Sequence, residues 1–262
     1  MPERLQHDEI AYYYDMHPTE EDLMGETAVH AALIRYLMEV LVWLFDQQLC
    51  AVHDNLNFYQ TPFWKEHPIA PDIAVIKGVD FEWVRSWRIG KTGPAPQVVL
   101  EIASDETWHK DLTEKPSKYA VMGVQEYFAY DPNQPALLRE GRLFGWRLDR
   151  ASRSMRELSL DRDGRLWSQH LESFLVPDSS YLCLYDRAGH RRLTRAEAEA
   201  EARRAETRRA EAEKRRAEVE KRRADAADRR VEAEKRRADT ADQRAKALAE
   251  KLRSLGIDPD QI

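Results

Sequence analysis

Val98-Val99-Leu100-Glu101-Ile102 is the most strand-like run in this 262-residue chain, apolar at four of its five positions with one carboxylate set inside it. Apolar residues at both odd and even positions fit a central strand covered on both faces. Glu101 is then out of place, because a carboxylate in such a strand is costly to bury unless it is paired, protonated or bound to a metal. Downstream, Lys115 to Met122 has helical spacing and is closed by Gly123, the residue type that ends helices in a left-handed conformation. Glu126-Tyr127-Phe128-Ala129-Tyr130 follows as a second strand, stopped by Asp131-Pro132. Upstream, Pro71-Asp72 opens a short strand, Ile73-Ala74-Val75-Ile76, and residues 83–96 read as a loop broken by Gly90, Gly93, Pro94 and Pro96. Leu56, Phe58 and Tyr59 form a strand-like stretch. Leu33, Ile34, Leu37, Met38, Leu41, Leu44 and Phe45 recur at helical spacing, predicting an amphipathic helix of about four turns with Arg35 and Glu39 on its wet side.

Residues 1–18 read as a loosely held arm, and Thr19-Glu20-Glu21-Asp22 can cap a short helix. Residues 137–185 read as successive strands with turns such as Asp161-Arg162-Asp163-Gly164. This order of elements predicts an α/β domain over residues 19–192, with a mixed central sheet flanked by helices, and a long charged α-helix over 193–262.

Charge separates the two parts. Residues 193–262 carry 20 Lys and Arg against 17 Asp and Glu, leaving 21 against 30 in residues 1–192. All seven Trp lie in the first part, so the core is there, and that part is acidic. Phosphate contacts come from Lys and Arg, so the acidity argues against tight DNA binding by this domain unaided; it does not argue against metal chemistry. Cys50 and Cys183 have no metal-ligand spacing and read as two reduced thiols. The N-terminal residues hold no apolar run of signal-peptide type, and the stretch 31–45 is too short and too charged to span a bilayer. A cytoplasmic protein with no membrane partner is expected.

The tail repeats with a period of seven: Ala210-Glu-Ala-Glu-Lys-Arg-Arg is followed by Ala217-Glu-Val-Glu-Lys-Arg-Arg, with variants from Ala224, Val231 and Ala238. As a coiled coil its seam is poor, since the position three after each of these holds Glu213, Glu220, Ala227, Glu234 and Ala241; only Leu248, Leu252 and Leu255 are genuine knobs. The repeat instead sets acid before base at Glu211–Arg215, Glu218–Arg222, Asp225–Arg229 and Glu232–Arg236, each pair worth roughly 0.2–0.5 kcal/mol to an isolated helix. Both a single solvated helix and a weak coiled coil, giving a homo-oligomer, are open readings. The interleaved acids weaken the case for nucleic-acid contact by the arginines.

Asp72 and Glu101, at adjacent strand ends, can share one Mg²⁺, which takes oxygen ligands and keeps several waters; the Ile102 main-chain carbonyl can add a third oxygen. Phosphodiester cleavage also calls for a cation near the attacking water, and Lys110, Lys115 and Lys118 follow Glu101, with Asp111 among them. An Asp, a Glu and a Lys at such loose spacing also occur in plain ion-pair networks. His30 and His109 read more simply as ordinary helix and loop histidines, Glu126 and Tyr127 as sheet packing, and Trp83, Trp87 and Trp108 as core or lid residues rather than base-stacking platforms.

The set Pro71-Asp72, Val99-Leu100-Glu101-Ile102-Ala103-Ser104, Asp111-Leu112-Thr113-Glu114-Lys115, Lys118-Tyr119 and the run from Gly123 to Pro132 resembles the Uma2 family over roughly residues 20–190. The resemblance implies a restriction-endonuclease-like PD-(D/E)XK fold and a Mg²⁺-dependent DNA endonuclease, Mn²⁺ being able to replace Mg²⁺. It makes Asp72 and Glu101 the metal-binding acids. The usual lysine two residues after the Glu is Ala103 here; the resemblance moves that role to Lys115. It also implies supporting roles for His30, Ser104 and Asp111, and a weaker one for Glu26. Ser104-Asp105-Glu106-Thr107 departs from the family's Ser-Pro-Ser-Thr and brings two extra acids to the site. Pro116, comfortable in a first helical turn, leaves Lys115 at the mouth of its helix. The displaced lysine and the acidic surface keep a second reading open: a catalytically weak or inactive nuclease-fold module that binds DNA or a protein partner and assembles through its C-terminal helix.

Overall fold

The computed structural model describes residues 28–60, 67–103, 108–133, 141–179, 181–254 and 256. The arm, the cap at residues 19–22, Glu26 and Ser104 lie outside them. The chain divides into one unit reaching Ala198 and a second from Glu199 onward. In order, the elements are α1 (Ala28–Leu44), β1 (Cys50–Asp54), β2 (Asn57–Tyr59), β3 (Ile73–Lys77), β4 (Ser86–Arg88), β5 (Val98–Ile102), α2 (Trp108–Thr113), α3 (Lys115–Met122), β6 (Glu126–Tyr130), β7 (Leu143–Asp149), β8 (Ser154–Glu157), β9 (Leu166–Ser168), β10 (Ser173–Asp178), β11 (Tyr181–Tyr185) and α4 (Arg195–Ser254).

The central sheet has six strands in the order β1-β3-β5-β6-β7-β8. It is mixed, as expected: β5 and β6 run parallel and every other neighbouring pair is antiparallel. Parallel neighbours cannot be joined by a tight turn, so the chain leaves β5, passes through α2 and α3, and returns in β6. β5 and β6 are buried at every position, which explains why each is apolar or aromatic apart from one carboxylate, Glu101 in β5 and Glu126 in β6.

Alternation along these strands divides the core between the two sheet faces. On one face, Val75, Val98, Leu100, Ile102 and Phe128 pack with Leu33, Leu37 and Leu41 of α1 and with Leu175, Leu182 and Leu184 of a second, three-stranded sheet, β11-β10-β9. On the other, Ala74, Ile76, Val99, Tyr127 and Ala129 pack with Tyr119 and Met122 of α3, and with Phe58 and Trp87. Each aliphatic side chain buried this fully contributes about 1.5–3 kcal/mol. Gly145 in β7 marks a close approach, since a Cβ there would stand 2.7 Å from Leu166 Cδ1 and 2.8 Å from Phe128 Cδ1.

The predicted loop at 83–96 contains a strand. Ser86–Arg88 pairs in parallel with Asn57–Tyr59, a contact between distant parts of the chain that no local pattern announces. The core reading is also corrected for Trp83, which is 94% exposed against 2% for Trp87. α3 ends as expected, with Gly123 at φ 83° donating to the Ala120 carbonyl. In the turn after β8, Asp161 accepts the backbone N–H groups of Asp163 and Arg165. Both cysteines are free thiols.

The last helix opens with a capping box: Thr194 Oγ1 accepts the Glu197 N–H at 3.2 Å, and the Glu197 carboxylate accepts the Thr194 N–H at 2.9 Å. α4 then runs 60 residues with no buried side chain. Of the four acid-before-base pairs expected there, Glu218–Arg222 (2.7 Å) and Glu232–Arg236 (2.9 Å) are formed. No helix among the described residues is long and apolar enough to cross a membrane.

Candidate active site

The pairing of Ile73 with Leu100 sets Asp72, just before β3, beside Glu101 in β5. Glu101 shares the parity of Val99, so its side chain leaves the sheet on the face covered by α3. Lys115 and Tyr119, one helical turn apart on α3, both reach it: Lys115 Nζ lies 3.0 Å from Glu101 Oε1, and the Tyr119 hydroxyl donates to the same oxygen. Glu101 Oε2 accepts the Asp72 N–H at 3.4 Å. Asp111, in the short helix α2, places Oδ1 2.7 Å from Lys115 Nζ, so the ammonium bridges two carboxylates. Asp111 is held in turn by the Tyr127 hydroxyl, which donates to its main-chain carbonyl at 2.8 Å.

The other half of the site is built on Asp72 and α1. Asp72 Oδ2 accepts the Ile102 N–H at 2.6 Å and lies 3.2 Å from His30 Nε2, which is also 2.9 Å from the Ile102 carbonyl oxygen. The ring of His30 thus stands where the Asp72 carboxylate and the Ile102 carbonyl face a common point.

Burial gives this cluster its electrostatics. Glu101 and Asp111 are 2% and 1% exposed. Burial pushes the Glu101 carboxyl up to about 8; the nearby charges of Asp72 and Asp111 push the same way, against the pull of Lys115 and the Tyr119 hydrogen bond. Burial also works against the charge on Lys115, but Glu101 and Asp111 outweigh it and hold the ammonium above the ordinary lysine range. The Tyr119 and Tyr127 hydroxyls, buried and facing Glu101, are raised and stay protonated donors.

Asp72, Glu101, Lys115, Asp111, His30 and the Ile102 carbonyl are therefore brought together, while Ser104 and Glu26 lie outside the described residues. Lys118 points away to Glu114, 3.2 Å from it and half-exposed. His109 bonds Thr113 within α2. The sequence reading passed over Tyr119; its signal was the four-residue spacing from Lys115, which puts both on one face of α3. Among the described residues no three His, Cys, Asp or Glu side chains gather as a ready-made metal cluster. The chemistry of the donors still fits a hard cation: two carboxylates on neighbouring strand ends and one main-chain carbonyl are the oxygen ligands that Mg²⁺ or Mn²⁺ takes.

No curated protein matches the sequence. A solved structure described as "a putative nuclease belonging to DUF820", from Anabaena variabilis ATCC 29413, is similar at 16% identity, over 56% of this chain and 76% of that one, with a TM-score of 0.40. Residues 3–168 match the model of a family described as "Putative restriction endonuclease", a span that contains every residue of the cluster, and the chain belongs to that family, Uma2.

Proposed function

We propose that the protein is a divalent-metal-dependent DNA endonuclease of the cytoplasm. The observation that carries this reading is the junction of Asp72, Glu101 and Lys115 at neighbouring strand ends and one helix mouth, in a chain of this family. Asp72, Glu101 and the Ile102 carbonyl would hold Mg²⁺, with Mn²⁺ as a substitute. When bound, the ion supplies Lewis acidity toward the scissile phosphate and lowers the pKa of a coordinated water. Lys115 is oriented by Asp111 and Glu101, and its ammonium offsets negative charge developing on the phosphate as water adds and the leaving oxygen departs. Tyr119 fixes one Glu101 oxygen and leaves the other toward Asp72.

Cleavage of linear, supercoiled and single-stranded DNA with Mg²⁺ or Mn²⁺ tests this. Asp72→Ala is expected to lower the rate roughly a thousandfold, since a metal-ligand carboxylate supports several kcal/mol of transition-state stabilisation. Equal rates in variant and wild type would end the assignment. Tyr119→Phe is expected to weaken Mn²⁺ binding by about 10-fold or more in calorimetry while leaving the circular dichroism unchanged, the size of effect typical of groups that orient a metal ligand. An unchanged Mn²⁺ affinity would remove Tyr119 from the site.

The second reading, a DNA- or partner-binding module with little catalysis, is favoured by one observation: the Lys115 ammonium is already engaged by two carboxylates. It predicts tight, Glu101-independent binding of DNA or protein and no cleavage with either metal.

A further inference from the structure

The acids and bases of the tail alternate along the sequence but separate once it is wound into a helix. α4 is one continuous helix from Arg195 to Ser254. Five Arg-Arg pairs recur at 208–209, 215–216, 222–223, 229–230 and 236–237, and Arg244 continues the second row. At about 100° per residue, the two arginine rows fall roughly 100° apart, and the only row between them is Ala205, Ala212, Val219, Ala226, Ala233 and Thr240. That face holds no Asp or Glu from residue 208 to residue 244. The acids, and the lysines 214, 221 and 235, occupy the remaining circumference. The face is about 54 Å long at 1.5 Å per residue and winds by about 20° per repeat.

The two rows differ in their bonding. In the first, Arg222 and Arg236 are tied to Glu218 and Glu232 on the preceding turn. In the second, Arg209, Arg216, Arg223, Arg230, Arg237 and Arg244 make no side-chain hydrogen bond or ion pair among the described residues. The residue four before each is an Ala, a Val or Thr240 of the central row; the acids nearest this row, Glu206, Glu213, Glu220 and Glu234, stand three before Arg209, Arg216, Arg223 and Arg237, and none of them is paired with it.

We infer that this arginine face of α4 binds the phosphate backbone of duplex DNA. Guanidinium groups match phosphate oxygens in a two-pronged geometry, and a row of them neutralises successive phosphates. The first 192 residues carry net charge −9, which opposes tight DNA binding by that part unaided; the tail carries its arginines in segregated form. A lipid surface fits less well, because the centre of the face has small residues where a membrane-lying helix needs bulky apolar ones. The inference rests on the nuclease reading only for the choice of DNA as the polyanion.

The test is fluorescence anisotropy with a labelled 30-base-pair duplex and the full chain, without divalent metal, over a salt series. The compared variant carries Arg→Gln at 209, 216, 223, 230, 237 and 244, which keeps helix propensity and removes only the charge. Wild type is expected to bind with a steep salt dependence. The variant is expected to bind at least about tenfold more weakly at 0.1 M salt, with a log–log slope shallower by as much as about 5, and with unchanged helicity. Identical affinity and slope in the two proteins overturns the inference. So does a variant that keeps its DNA affinity but loses self-association in sedimentation, which would assign the face to a second copy. Failure of the nuclease reading registers elsewhere, as absent cleavage with Mg²⁺ and Mn²⁺, and leaves the salt slope as it was.

Discussion

Glu101→Gln is expected to abolish divalent-metal binding and cleavage while making the metal-free protein less sensitive to pH. The wild-type carboxyl is held at about 8 against 4.5 for a free side chain, chiefly by burial. Between those values the folded protein keeps a proton that the unfolded chain has released. Folding is thereby favoured at the acid end, and this contribution is lost as pH rises from about 4.5 through 8. A gap of that size corresponds to a change on the order of 4 kcal/mol across the window. Gln is nearly isosteric and cannot ionise, Asp111 remains as a partner for Lys115, and the Tyr119 hydroxyl can still donate to the amide oxygen. In urea denaturation with chelator present, the two proteins should be similar near pH 5, and the variant should gain on wild type steadily up to pH 8. Lys115 titrates outside this window: its raised pKa gives stability that is complete below the ordinary lysine value and fades only in strong alkali. Parallel stability–pH curves for the two proteins would contradict the buried-acid account. The same proton makes metal binding pH-dependent, so wild-type Mn²⁺ affinity should rise up to about tenfold per pH unit below 8.

Glu126→Ala is expected to be the most destabilising single change outside the site. Glu126 is completely buried yet accepts five hydrogen bonds: two from the Arg147 guanidinium at 2.9 and 2.7 Å, one from Ser168 Oγ at 2.6 Å, and one each from the Gln169 and His170 N–H groups at 3.0 and 3.1 Å. It ties β6 to β7 and both to the turn after β9. Removing it takes the carboxylate from a half-buried guanidinium, the buried Ser168 hydroxyl and two part-buried amides, a loss of about 3–5 kcal/mol for breaking a buried ion pair. At 2–4 °C per kcal/mol for a domain of this size, the melting temperature should fall by roughly 10–15 °C. A fall under about 3 °C would show that water or rearrangement satisfies those donors.

The elements legible in the sequence are those whose signals are local and strong. β5, α3 with its Gly123 terminus, β6 and the apolar periodicity of α1 all stand where the pattern put them. β1 passed unread because Cys-Ala-Val-His-Asp has neither a continuous apolar run nor clean alternation; it is a strand because β3 pairs with it residue by residue. β4 was hidden in the same way by glycines and prolines around it. At the site, Glu101 was visible as a charge in an apolar strand, while the reach of Lys115 and His30 came only from resemblance to a family. Their contacts span 14 residues to Glu101 and 42 to Asp72, separations at which spacing carries no information. Tyr119 is the exception, legible from its four-residue offset to Lys115 but looking like core.

The alignment Ile73–Leu100 joins the two acids of the site through two antiparallel strands. A shift of one residue between β3 and β5 would turn one of the acids to the opposite side of the sheet and abolish their juxtaposition without removing either residue. If the proposed site takes Mn²⁺, its affinity is therefore a gauge of strand alignment. A variant that folds with near-native secondary structure but a slipped central pair would be silent to circular dichroism and plain to a metal titration.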